Sequence, residues 1–247
     1  LKSRQEKEKQ AHEEGGVKRI FAVEQPYAQR TIAKAYLKSN SPDKKSKYEF
    51  IREAIITSRL NHPNIVPIYD LGIDDFEQPY FTMKMLGGEN FGSILQKLNQ
   101  HDPTYQQNFS LPQLLDIFLK VCQAVAYAHS QGILHLDLKP ENIQVNDYGE
   151  VLLIDWGLAW DMNDENTWED GLIKGSPGYM APEQIRGDSE LFTPSTDIYA
   201  LGALLYSILT LKRPSTHKET KKQLHEALNG ELPSPAERSP DRTIPTA

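Results

Sequence analysis

One stretch constrains this chain more than any other: His135-Leu136-Asp137-Leu138-Lys139-Pro140-Glu141-Asn142, followed after a short hairpin by Asp155-Trp156-Gly157. Between the two lie apolar runs of strand length, Ile143 to Val145 and Val151 to Ile154. The carboxylates of Asp137 and Asp155, an ammonium and a carboxamide thereby flank one small strand–turn–strand unit. That is the inventory needed to hold a triphosphate through metal ions and to orient a hydroxyl beside it. One motif does not make a site, so the rest of the chain must supply the other parts.

With 247 residues the chain has room for one large domain or for two lobes with separate cores. Acidic residues outnumber basic ones, 34 to 27, for a net charge of −7, which argues against a nucleic-acid-binding surface. The single cysteine, Cys122, sits in an apolar helical pattern and excludes both a disulfide framework and a thiolate metal site. A reducing cytoplasm is the natural reading. The longest mainly apolar stretch, Ala200 to Leu211, is too short to span a bilayer, so no membrane segment is expected in this fragment. A chain that begins at Leu1 and stops among prolines reads as a piece of a longer parent with further domains.

Residues 1–14 are almost all charged or amide-bearing and read as a solvated extension or linker. Gly15-Gly16 then introduces two strand-like runs, Arg19 to Val23 and Gln29 to Leu37. In the second run Ile32 and Lys34 share one face, while Thr31, Ala33 and Ala35 share the other. A lysine inside an apolar strand must snorkel or find an anion. The candidate anion is Glu53, in a helical pattern over Tyr48 to Leu60, where a surface helix charge is the competing reading. Ile65 to Asp70 and Tyr80 to Leu86 read as further strands, and Gly87-Gly88 closes the sheet-rich half. Helical patterns follow at Phe91 to Leu98, Leu111 to Ser130, Thr196 to Leu211 and Glu219 to Leu228. Between the second and third of these, after the opening motif, comes the run Gly175-Ser176-Pro177-Gly178-Tyr179-Met180-Ala181-Pro182-Glu183.

In this order, these residues resemble the eukaryotic-type, or Hanks-type, serine/threonine protein kinase catalytic domain, with a bacterial source as an open alternative. The resemblance implies an α+β, two-lobed fold: a five-stranded antiparallel-sheet N-lobe with one main helix over residues 15–86, and a larger, mainly helical C-lobe over 87–247. It implies ATP as co-substrate with Mg²⁺, or Mn²⁺, and a protein carrying a serine or threonine acceptor as partner. By this resemblance Asp137 accepts the hydroxyl proton, Asn142 and Asp155 hold metal, and Lys34 binds the α- and β-phosphates with Glu53 as its partner. Lys139 and Ser176 steady the transferring group and the loop, and mark the acceptor as an alcohol rather than a phenol. Gly15, Gly16, Lys18 and Ile20 belong to the loop and strand over the nucleotide, and Ile32 roofs the adenine. Met83 stands behind the adenine while the backbone of Lys84 and Met85 pairs with its edge. Asp197 braces the catalytic loop through backbone N–H groups.

Several positions depart from the pattern. The glycine loop is eroded, with Glu13 and Lys18 where the first and third glycines would fall, which leaves Lys18 as a substitute cation. A shifted register using Lys38 is the alternative to Lys34, and fits the spacing to Ile20 less well. Leu136 replaces the arginine before the catalytic aspartate, so phosphorylation of the following segment, for instance at Thr167, is not expected to control activity through that route. Trp156 stands for a phenylalanine. The last C-lobe helices are missing, which is expected to leave Glu183 without its arginine and the lobe less stable. The expected activity is protein serine/threonine kinase, in the cytoplasm or on the cytoplasmic side of a larger, membrane-anchored protein. The alternative is a pseudokinase that serves as a nucleotide-binding or scaffolding module.

Overall fold

The computed structural model describes residues 18–25, 30–38, 43–164 and 173–244, together with the backbone of 8–10. Glu13, Gly15, Gly16 and Thr167, for which the sequence raised expectations, lie outside the described residues.

The smaller lobe is a five-stranded antiparallel sheet in the order β1-β2-β3-β5-β4, built from β1 (Glu8–Gln10), β2 (Lys18–Gln25), β3 (Arg30–Leu37), β4 (Ile68–Ile73) and β5 (Pro79–Lys84). Strand β1 falls inside the stretch expected to be a solvated extension; it pairs with β2 from Glu8↔Val23 to Gln10↔Phe21. An edge strand needs only its backbone to pair, and charged side chains suit an edge, so apolar patterning gave no warning of it.

The helix α1 (Lys44–Arg59) is capped by Asp43, whose side chain accepts from Ser46 N at 2.7 Å. It lays Phe50 and Ala54 on a face of the sheet formed by Ala33, Ala35 and Leu37 of β3 with Phe81 and Met83 of β5. Because side chains alternate along a strand, the other face of β3 carries Ile32, Lys34 and Tyr36.

After β6 (Glu89–Asn90) the larger lobe is helical: α2 (Phe91–Asn99), α3 (Pro103–Asn108), α4 (Leu111–Ser130), then α5 (Pro182–Arg186), α6 (Pro194–Thr210), α7 (Thr220–Asn229) and α8 (Pro235–Arg238). Its core joins Leu114, Val121 and Val125 of α4 to Leu204 and Ile208 of α6 and to Phe91 and Ile94 of α2. Short strands β7 (Ile133–Leu134), β8 (Ile143–Val145), β9 (Val151–Leu153) and β10 (Trp160–Asp161) lie between α4 and α5.

The lobes are stitched by backbone hydrogen bonds and one side-chain bond. Leu153 N donates to Asn64 O at 2.8 Å, Val66 N donates to Leu153 O at 3.1 Å, and Asn64 Nδ2 reaches Val151 O at 2.9 Å. The His62 ring stacks on Tyr127 of α4, which fixes the end of α1 to the larger lobe.

Gly88 lies at the lobe boundary with φ +73°, and a Cβ there would sit 2.0 Å from the Val145 carbonyl oxygen. Both the left-handed backbone and the contact with β8 demand glycine. Gly88→Ala is therefore expected to lose more than the ~1–3 kcal/mol of the backbone strain alone; urea unfolding checks this, with Gly149→Ala, φ +77° but nothing within 4 Å, as the strain-only control.

Candidate active site

The cleft between the lobes is a cavity of about 1130 Å³. Ile20, Val66, Ile68, Met83, Leu86 and Ile154 form an apolar part of its wall, and Lys18, Glu53, Asp137, Lys139, Asn142 and Asp155 a polar part.

Asp137 is held on both carboxylate oxygens. Its Oδ2 accepts from Lys139 Nζ at 2.7 Å and from Asn142 Nδ2 at 3.1 Å, while its Oδ1 accepts from Ser176 Oγ at 2.7 Å. Lys139 Nζ also donates to Ser176 Oγ at 2.8 Å. Asn142 uses its Nδ2 again on the Asp137 carbonyl at 2.9 Å. That keeps its carbonyl oxygen, the atom a cation needs, out of these bonds.

The loop that presents Asp137 is braced from below. Asp197, on the first turn of α6 and 1% exposed, accepts from His135 N at 2.8 Å, from Leu136 N at 2.9 Å and from His129 Nε2 at 2.8 Å. Leu136 has φ 60°, a left-handed conformation costing ~1–3 kcal/mol for a residue with a side chain. Both of its backbone groups are gripped, because Gln184 Nε2 donates to Leu136 O at 2.8 Å. His135 Nδ1 accepts from Asp137 N at 3.2 Å, which assigns the ring proton to Nε2, 3.3 Å from the Ile154 carbonyl. Its ring packs against Trp156, with centroids 4.6 Å apart.

The third group of residues corrects the sequence reading. Glu53 pairs with Lys18, not with Lys34. Lys18 Nζ is also 3.3 Å from Asp155 Oδ1. Lys34 lies on the opposite face of β3, its ammonium 4.0 Å from the centre of the Tyr80 ring. Ile32 shares that face and does not roof the cleft; Ala33, next along β3, packs in the cluster that contains Met83. The reason is the period of two: a residue one place along a strand is on the wrong side. Lys38 follows the end of β3 and is exposed.

Burial works to lower the Lys18 ammonium's pKa, but the attraction of Glu53 and Asp155 outweighs it and the pKa is raised. Burial pushes the Glu53 carboxyl up, more than its single cation can offset, with Asp155 adding repulsion. For Asp155 burial is outweighed by Lys18, His135 and Lys139, and its pKa is lowered.

Helix α1 is held in this position by arginines that the sequence did not single out. Arg52 Nη2 donates to Ala159 O at 2.7 Å and Arg59 Nη1 meets Asp161 Oδ2 at 2.5 Å. Leu136 itself is buried with Leu134 and Phe192, with Leu158 and Trp160 packed against them. Glu183, expected to lack a partner, accepts from Thr196 Oγ1 at 2.6 Å. A hydroxyl at the start of α6 meets the carboxylate that was expected to be left without its arginine, a contact no motif foretells. Met83 is buried in the cleft wall. The Lys84 ammonium pairs with Glu150, and its N–H donates to Pro67 O at 3.2 Å, so any pairing by the Lys84 backbone uses its carbonyl.

The model of the protein kinase domain matches residues 13–244. The chain belongs to the protein kinase family. It is similar to the serine/threonine-protein kinase PknD of Protochlamydia amoebophila, 36% identical over 94% of this chain, and to that of Chlamydia felis at the same identity and coverage. PknD of Chlamydia trachomatis serovar D is 35% identical over 94% of the chain. The kinase domain spans only about a quarter of the length of these curated relatives, 26–27%.

Asp197→Asn is expected to lower stability by about 1–3 kcal/mol, because one buried N–H of the catalytic loop then faces an amide donor. Denaturant unfolding measures the loss.

Proposed function

We propose that this domain transfers the γ-phosphate of ATP to serine or threonine hydroxyls of proteins. The observation that carries the reading is the Asp137 carboxylate, steadied at once by Ser176, Lys139 and Asn142 on a loop anchored to Asp197. Asp137 accepts the proton of the acceptor hydroxyl and aims its oxygen. Lys139 and Ser176 hold Asp137, and the Lys139 ammonium places a positive charge where phosphoryl charge develops. Phosphoryl transfer has a loose transition state, so positioning and charge neutralisation carry the rate.

Mg-ATP supplies the phosphoryl group and the divalent charge that neutralises it. The donor set fits it. Mg²⁺ takes one or two side-chain oxygens and completes its shell with phosphate and water, and Asn142 and Asp155 provide such a pair. Among the described residues no cluster of three His, Cys, Asp or Glu forms a separate metal cage. The apolar wall with Ile20, Met83 and Ile154 suits a planar base. Protein substrates and further domains of a longer parent are part of the same reading, supported by the length of the relatives. No helix among the described residues is long and apolar enough to cross a membrane. A cytoplasmic location, of the domain or of a larger anchored protein, goes with its use of ATP.

Leu136 extends the reading to control. An arginine at this position could pair with a phosphorylated residue. Leucine packed on Phe192 and Trp160 replaces that ionic contact by an apolar one. Treatment of active protein with a phosphatase is therefore expected to leave its rate unchanged; a large fall, restored by modification at Thr167, contradicts this.

The decisive assay is phosphate incorporation from labelled Mg-ATP into a generic basic protein, followed by phosphoamino-acid analysis. Label is expected on serine or threonine and not on tyrosine, and Asp137→Asn is expected to lower the rate by roughly 10²–10⁴-fold. Equal incorporation by the wild type and Asp137→Asn identifies a binding module without transfer activity.

A further inference from the structure

We propose that Lys18, on strand β2, is the lysine that grips the nucleotide phosphates, and that no lysine of strand β3 does so. The inference rests on the kinase reading above and names the residue on which its nucleotide site turns.

Three lysines compete for the role, and strand geometry separates them. Ile20 is in the cleft wall, so Lys18, two places earlier on β2, projects to the same side. Lys18 lies opposite Leu37 in the register, and Ile20 opposite Ala35, which puts both beside the cleft-facing row of β3. From there the ammonium reaches Glu53 on α1 and Asp155 of the larger lobe together. Lys34 is one place out of phase and packs its ammonium on Tyr80. Lys38 is exposed beyond the strand.

The in-phase position of β3 is Ala35, wholly buried in an apolar cluster with Phe50, Ala54 and Phe81. It offers no charge to Glu53 or to a phosphate. Lys18 therefore stands alone among these lysines in contacting both the α1 carboxylate and the carboxylate proposed to hold metal. Lys18 sits beside Asp155, where phosphates brought in with the metal would arrive.

Two readouts test this. The first uses an ATP acyl phosphate on the wild-type protein: the amine nearest the phosphates attacks the acyl carbon, forms an amide, loses a proton and expels ATP. Peptide mapping is expected to find the acyl group on Lys18, beside any on Lys139 of the same cleft, with labelling suppressed by excess Mg-ATP; labelling of Lys34 or Lys38 and not of Lys18 overturns the proposal. This readout requires nucleotide binding but not transfer, so it reports on Lys18 even if the protein proves to be a binding module.

The second compares variants. Lys18→Ala is expected to lower kcat by at least ~10²-fold while thermal unfolding still shows a folded protein, and Lys34→Ala is expected to keep the wild-type rate. Moving the ammonium across the strands, Lys18→Ala with Ala35→Lys, is expected to restore part of the lost activity. If Lys34→Ala abolishes transfer while Lys18→Ala preserves it, the proposal is wrong. If the wild type itself transfers no phosphate, the kinase reading fails and the mapping alone decides the role of Lys18.

Discussion

The ammonium of Lys18 set between Glu53 and Asp155 is the contact on which the geometry of the cleft depends. It joins β2, α1 and the segment after β9, three elements with no covalent neighbourhood. Glu53 is 8% exposed, and a buried carboxylate deprived of its cation costs about 3–5 kcal/mol. The position of α1 against the sheet is therefore coupled to the orientation of Asp155. Arg52 and Arg59 add two further ties between α1 and the chain around Ala159 and Asp161. The arrangement brings the proposed phosphate and metal groups together before any nucleotide is added.

A second anchor, Asp197, does for the larger lobe what Lys18 does across the cleft. Its two oxygens hold consecutive N–H groups of the loop that presents Asp137, and Gln184 holds the carbonyl of Leu136 from the other side. The left-handed turn at Leu136 persists because both of its polar backbone groups are satisfied in the interior. The two anchors are tied through β9, where Leu153 N donates to Asn64 O and Val66 N donates to Leu153 O. Where a charged pair would ordinarily order the loop, Leu136 gives an apolar contact with Phe192, which needs no modification to form.

Much of this was legible in the sequence, for identifiable reasons. The order of motifs announced the two-lobed α+β fold, and the helix Leu111 to Ser130 was readable from its apolar spacing and ends where the structure ends it. Asp137, Lys139, Asn142 and Ser176 are brought into one hydrogen-bonded set, because they come from a compact loop and its neighbour. The lysine was misplaced. A motif aligned by its letters chose Lys34, whereas the alternation of side chains along β3, already visible in the pairing of Ile32 with Lys34, puts that residue on the far face. Lys18 could have been found from its spacing to Ile20. Strand β1, the Thr196–Glu183 bond and the grip of Gln184 on Leu136 depend on backbone pairing and distant contacts that carry no periodic signal.

The most direct measurement is a high-resolution structure of the domain with magnesium and a non-hydrolysable ATP analogue. The account predicts the Lys18 ammonium within hydrogen-bonding distance of the α- or β-phosphate while still paired with Glu53, and Lys34 still packed on Tyr80. A Lys34 or Lys38 ammonium on the phosphates, with Lys18 turned to solvent, contradicts it.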